Sequence, residues 1–372
     1  MNYNYRILTI VGLQEGEKPV VFITHDESTF NCNDGKRQGW MKAGQQPLRP
    51  KGRGHGMMVS GFLTPGGRLK VPAHIEDEKL LQDPSWEKDQ YGNPIRDAMA
   101  LHETTKEGYW SGDHMVEQTL RVAFPIFRLA FPGCQALFAF DNASNHCSYA
   151  NDALRAHRMN LRPGGEQPLM REGFDYGRNL PHTMVFPMNH PTFELRGKAK
   201  GTEVVLRERK LWPFQGRRAD GARFLHNCPR DHGRKGCKDY VGTELEGRCC
   251  ATSLLARQPD FQQQKNRLVE ELEALHQLAI FYPKFHPELN FIERFWCGAK
   301  WYTREHCEYT WESLKQTLPV ALDSISTATI HRHYEHCVRT LDAYIEGCTY
   351  GTREFTECVY RGHRQVVDKS KW

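Results

Sequence analysis

Two short apolar runs set the frame for this chain. Val20–Ile23 leads through Thr24 and His25 to Asp26, and Ala136–Phe140 is followed at once by Asp141. Neither run alternates apolar with polar side chains, so each reads as a strand buried on both faces, as the central strands of a helix-covered sheet are. Each delivers an aspartate at its end. Functional groups of open α/β sheets gather beyond the strand ends, which makes these two carboxylates candidates for one site.

A third acid stands in an unusual place. In the stretch FYPKFHPELNFIERFW, Pro287 is suited to open a helix, and Leu289, Ile292 and Trp296 then recur at the spacing of a core-facing stripe. Glu293 falls inside that stripe, where an unpaired ionised carboxylate is strongly disfavoured. A divalent cation shared with other acids would neutralise it. Two such ions about 3.5–4 Å apart can activate an attacking oxygen and stabilise the leaving one in phosphodiester displacement, and oxygen ligands suit Mg2+ or Mn2+. The expected metal-holding and catalytic set is therefore Asp26, Asp141 and Glu293. Glu27 is set aside because strand alternation turns it to the opposite face, and Glu288 because it falls off the stripe.

Taken in order, HDES around Asp26, DNASNH around Asp141 and PELNFIERFW around Glu293 resemble the signature blocks of the DDE transposases of the mariner superfamily. EGYWSGDHMV, RERKLWP, CCATSLLARQPDFQQQK and FYPKFH are similar to a eukaryotic subgroup with a long insertion, and the matches together span most of residues 20–305. The resemblance implies an α/β fold, a ribonuclease H-like mixed sheet flanked by helices, with a basic inserted subdomain. It also implies metal-dependent hydrolysis at a transposon end, followed by strand transfer from the freed 3′-hydroxyl. DNA would be the partner, with room for a homodimer, and the nucleus the location. His25, Asn142 and His146 would support the ligands from behind or face the DNA, since hard cations favour oxygen.

Two features depart from the family pattern. The last two acids lie 152 positions apart, from 141 to 293, where the family usually has a few tens. Only 25 residues precede Asp26, whereas the family carries an N-terminal helix-turn-helix reader. The chain thus reads as a catalytic region without its sequence reader. A domesticated DNA-binding protein without transposition is the alternative, and a structure-specific nuclease of the same fold a third reading.

The expected organisation is a first catalytic part over 1–156, a basic insertion over 157–277, a second catalytic part over 278–346 and a tail over 347–372. Strands are expected at Lys18–Ser28, Met57–Leu63, Arg68–Val71 and Leu278–Tyr282. Helices are expected across Asp113–Leu129 with a break at Pro125, at NDALRAHRM, and at Thr202–Lys210, Phe261–Leu278, Trp311–Ile325 and Ile330–Ile345.

Net charge is only +5, but Arg196–Lys238 holds thirteen Lys or Arg against four Asp or Glu, a local +9. The segment Gly35–Gly56 is basic with no acid at all. Lys36, Arg37, Lys51, Arg53, Arg207, Arg209, Lys210, Arg217 and Arg218 are the candidate phosphate contacts. Within the basic insertion, His226, Cys228, His232, Cys237, Cys249 and Cys250 supply enough N and S donors for a tetrahedral Zn2+, although no CxxC pair occurs. The apolar content there looks too thin to fold without such a staple. Twelve cysteines scattered through a highly charged chain fit a reducing compartment better than a disulfide scaffold. No stretch approaches a membrane span, so no membrane partner is expected.

Overall fold

The computed structural model describes residues 16–36, 48, 50–104, 108, 110–143, 148–228 and 236–360. The chain divides into two compact units, one formed by 1–148 with 268–372 and the other by 149–267. The second unit begins earlier and ends earlier than the expected 157–277.

Strands β1 (Val20–Asn31), β2 (Gly56–Thr64), β3 (Gly67–Arg68), β4 (Ala100–Glu103) and β5 (Gln135–Phe140) belong to the first unit. The second holds the β6 (Gly173–Asp175) and β7 (Leu180–His182) pair, and β8 (Leu278–Phe281) follows in the first. The main sheet runs β3-β2-β1-β5-β8, with β4 also on β2. β1, β2 and β3 form an antiparallel meander, while β5 pairs parallel to β1 and β8 parallel to β5. This mixed sheet flanked by helices is the ribonuclease H-like arrangement. β1 is longer than its apolar run suggests, so Asp26 lies inside the strand and not at its end. What ends near Asp26 is the parallel ladder with β5, whose last registered pair is Thr24 with Ala139.

Alternation along the strands sorts two cores onto the two faces. Ile23, Phe62, Phe138 and Phe140 pack with Met115, Ile126, Phe127, Leu268 and Leu272 on one face. Phe30, Val59 and Leu63 pack on the other with Phe291, Ile292, Phe295, Trp296, Leu318 and Ile330, and Phe22 joins them. Full burial of each such side chain contributes about 1.5–3 kcal/mol. The second core is roofed by the helices Ile292–Glu305, Trp311–Asp323 and Thr327–Ile345.

Several local expectations are corrected. Pro125 does not break its helix: Gly112–Gln118 passes through a π turn at Thr119–Ala123 into Phe124–Ala130, and the proline sits in the first turn of that last segment. The π turn just before it is the local distortion that takes up the proline without ending the helix. NDALRAHRM yields only a 3-10 turn at Ala156–Arg158, and Phe261–Leu278 splits into Pro259–Gln262 and Arg267–Ala274. The expected tail contains a helix, Arg353–Val359, whose Phe355 and Val359 pack with Ala343. The second unit has an apolar core of its own, including Leu154, Met184, Val205, Leu206, Phe224, Leu255 and Phe261. Its apolar content is therefore not too thin to fold.

Candidate active site

The register of β1 on β5 places Asp26 and Asp141 at matching positions, each two residues past the pair Thr24–Ala139. On parallel neighbours in register, matching positions share a face. That face is the one carrying the helix Ile292–Glu305, because Phe22 and Phe30 lie on it along with Asp26. The helix is tied to β1 by its own sequence block. Trp296 Nε1 donates to Asp26 Oδ2 at 3.0 Å, and Asn290 Nδ2 donates to the His25 carbonyl at 3.2 Å. Thr24 Oγ1 donates to Asn290 Oδ1 at 2.5 Å and lies 2.9 Å from the Tyr282 hydroxyl. Asn142 in turn donates from Nδ2 to the Tyr282 carbonyl. The three acid-bearing segments are thus stitched together by Thr24, Asn290, Trp296, Tyr282 and Asn142.

Glu293 corrects the stripe argument. The α-helix begins at Ile292, after a separate 3-10 turn at Pro287–Leu289, and its buried face is Ile292, Phe295, Trp296 and Ala299. Glu293 borders that face, partly open to solvent. It lines, with Asp141, Asn142, Lys284, His286 and Asn290, an open cleft of about 380 Å³.

The electrostatics are those of unneutralised acids. Burial, then repulsion from Glu293, Glu27 and Asp141, pushes the Asp26 carboxyl up to about 8, although a backbone N–H bond opposes this. Partial burial, ahead of repulsion from Asp141, lifts Glu293 above its ordinary range against the pull of Lys300. Such a group of oxygen donors fits hard divalent cations, which would lower the Asp26 and Glu293 carboxyls together. The three carboxylates do not gather within 4.8 Å of one another as a set among the described residues.

Of the other candidates, Asn142 lies on the cleft wall and the rest, among the described residues, do not. His25 is fully buried on the opposite face, with Nε2 2.8 Å from Ser60 Oγ and its ring against Phe62 and Phe140, so it cannot face DNA. Asn142 ties the residues directly after β5 to the Tyr282 carbonyl. His146, Arg37 and His232 lie outside the described residues. Glu288 accepts from the Tyr344 hydroxyl at 2.5 Å and pairs with His286 at 2.7 Å. Burial would raise its carboxyl, but those partners hold it below the ordinary range.

Among the basic candidates, Lys51, Arg53, Arg207, Lys210 and Arg217 are exposed. Lys36 is paired with Glu305, and Arg207 with Glu203. Arg218 is paired with Asp220 and the Tyr240 hydroxyl, its side chain largely buried. Arg209 is no DNA contact: its side chain is 1% exposed and binds Asp260 through both terminal nitrogens. The Cys228, Cys237, Cys249 and Cys250 sulfurs come together, whereas His226 is not part of that group.

The sequence reading missed Thr24, Tyr282, Asn290 and Lys300 as site residues. Asn290 left a signal, an amide between Leu289 and Phe291 at the foot of an apolar stripe. Gly61 left none. It pairs with Asp26 across β1 and β2, and a Cβ there would meet Met99 Sδ at 2.1 Å and Trp296 at 3.3 Å. We expect Gly61→Val to displace the indole that holds Asp26, costing about 1–3 kcal/mol of stability. Urea denaturation measures that cost, and an unchanged midpoint would contradict it.

No family model and no curated protein matches the chain. Among solved structures it is similar to the Mos1 transposase paired-end complex with left transposon end, at 11% identity and a TM-score of 0.37, over 85% of this chain and 54% of that one. The Mos1 mariner paired end complex with Mn gives 10% identity, a TM-score of 0.37 and the same two coverages. The Mos1 mariner paired end complex with Mg gives 16% identity and a TM-score of 0.23 over 34% of this chain and 30% of that one. This chain spans about half the length of the first two solved chains.

Proposed function

We propose that the chain is the catalytic region of a DDE-type DNA transposase or endonuclease, which hydrolyses phosphodiester bonds and transfers DNA strands with divalent metal. The observation that carries the reading is that acids from three distant segments come to one place: Asp26 and Asp141 on one face of the sheet, and Glu293 on the helix packed over that face, with burial and neighbouring acids raising the Asp26 and Glu293 carboxyls. When bound, a pair of Mg2+ or Mn2+ ions would supply activation of the attacking oxygen and stabilisation of the leaving one. Asp26 and Asp141 would hold the pair from the sheet and Glu293 from the helix. Trp296 and Asn290 keep the sheet acids and the helix in one frame. Lys284 and His286 line the cleft, where the Lys284 ammonium would meet a phosphate that enters it. The exposed cations Lys51, Arg53, Lys210 and Arg217 would contribute sequence-independent, salt-sensitive affinity.

The test is nicking of supercoiled DNA in Mg2+, Mn2+ or EDTA, with Asp141→Asn beside the wild type. Wild type should nick with either metal and not with EDTA. Asp141→Asn should lose about a thousandfold in rate while binding DNA as before, the loss expected when about 4 kcal/mol of charge stabilisation goes. Equal rates for the two proteins would sink the catalytic reading. DNA binding without metal-dependent nicking by the wild type would put the non-catalytic DNA-binding reading in its place.

A further inference from the structure

Four of the twelve cysteines gather inside the unit 149–267. The Sγ atoms of Cys228, Cys237, Cys249 and Cys250 all lie within 4.8 Å of one another, and those of Cys237 and Cys250 are 3.6 Å apart. Sulfurs around one tetrahedral ion with bonds of about 2.3 Å stand about 3.8 Å apart. All four cysteines are free thiols, so no disulfide accounts for the gathering. Cys249 and Cys250 are buried at the start of the helix Ala251–Ala256, and Cys250 Sγ accepts from Ser253 N at 3.4 Å. An N–H donor of this kind orients a thiolate ligand and stabilises its charge.

We propose that Cys228, Cys237, Cys249 and Cys250 bind one structural Zn2+. Four thiolates are a soft donor set, suited to zinc and not to the magnesium or calcium that oxygen ligands select. Four protein ligands also close the coordination sphere, which separates a structural site from a catalytic one with an open position. Binding displaces the thiol protons to solvent and involves no electron transfer. The ion joins three stretches of chain that the hydrophobic core reaches only at their ends. Phe224 packs into that core before Cys228, and Ala251 and Leu255 pack into it after Cys250. Backbone bonds from Ala251 and Thr252 to the Leu225 and His226 carbonyls close the loop at its base. Zinc would fix the part of the loop that carries Cys237, whose side chain is exposed. This site is separate from the carboxylates and does not depend on the nuclease reading.

The full chain, purified without added metal, should contain about one zinc by elemental analysis, and Asp141→Asn should keep it. Cys237→Ser with Cys249→Ser should lose it. Since that variant can fail to fold, thiol mapping of the wild type supplies the second measurement. Alkylation followed by peptide mass analysis should find the four cysteines protected, exposed Cys237 included, and modified once a strong chelator is added. Cobalt put in place of zinc should give the visible spectrum of a tetrahedral tetrathiolate centre. Protein that neither contains zinc nor takes it up, iron in its place, alkylation of Cys237 before chelation, or a Cys237–Cys250 disulfide in the peptide map would each overturn the proposal.

Discussion

Metal-free protein should lose stability as pH rises from about 4 to about 8, and Asp26→Asn should remove most of that loss. The Asp26 carboxyl moves from an ordinary 3.8 up to about 8 on folding, through burial first and then repulsion by Glu293, Glu27 and Asp141. Between those values the folded state keeps a proton that the unfolded chain has released. By linkage, the protonated site contributes its full stability below about 4 and loses it as pH climbs through the folded value. A shift of this size corresponds to several kcal/mol, read as an order of magnitude. Asparagine cannot ionise, yet it still offers an oxygen to Trp296 Nε1, which now donates to Asp26 Oδ2. The variant should therefore be more stable than wild type near pH 8 in EDTA and similar to it near pH 4. Saturating Mg2+ should raise the wild-type midpoint most at the alkaline end and leave the variant where it was. Denaturation midpoints of both proteins across that range, with EDTA and with Mg2+, provide the measurement. Parallel pH profiles for the two proteins would mean that Asp26 is not the strained acid of the site.

The sheet was legible in the sequence where burial on both faces leaves an unbroken apolar run, as in Val20–Ile23 and Ala136–Phe140. Strand limits were less so: β1 runs on to Asn31 beyond the expected end at Ser28, because Thr29 and Asn31 look polar in sequence and are held in the strand by pairing with β2. The short strand β4 gave no sequence signal for the same reason, since it exists through its ladder to β2. Asp26 and Asp141 could be found because each follows such a run. That they share a face follows from register, which sequence does not carry. Glu293 was expected to point toward the apolar side, but the 3-10 turn at Pro287–Leu289 resets the helix phase and moves Leu289 off the stripe. The basic segment misled most. Charge counted along the chain cannot tell an exposed lysine from one such as Lys200, buried against Glu208.

Arg209 is the sharpest case of that failure, and it carries the second large prediction. The sequence places it among phosphate contacts, whereas the fold buries it at the centre of a polar network. Its terminal nitrogens donate to Asp260 Oδ1 at 2.9 Å and Oδ2 at 2.6 Å, and its Nε donates to His182 Nδ1 at 3.0 Å. His182 Nε2 lies 2.6 Å from Glu208 Oε2, which also receives Lys200 Nζ at 2.9 Å. Asp260 Oδ2 further accepts the Phe174 backbone N–H at 3.1 Å, tying the β6 strand to the helix Pro259–Gln262. Breaking a buried pair leaves the surviving charge desolvated and uncompensated, which typically costs 3–5 kcal/mol or about that order. Both Arg209→Ala and Asp260→Ala should therefore destabilise the protein by about that much in urea denaturation. The double variant should cost much less than the sum, because neither charge is then stranded. It should not reach zero, since the Phe174 N–H loses its acceptor and a buried unpaired donor costs about 1–3 kcal/mol. A different pattern follows if Arg209 meets phosphate instead: stability stays put, while DNA affinity falls and the salt dependence of binding weakens by about one unit of log–log slope. Measuring both quantities on Arg209→Ala separates the two roles, and unchanged stability with a reduced slope would return this arginine to the DNA-facing set.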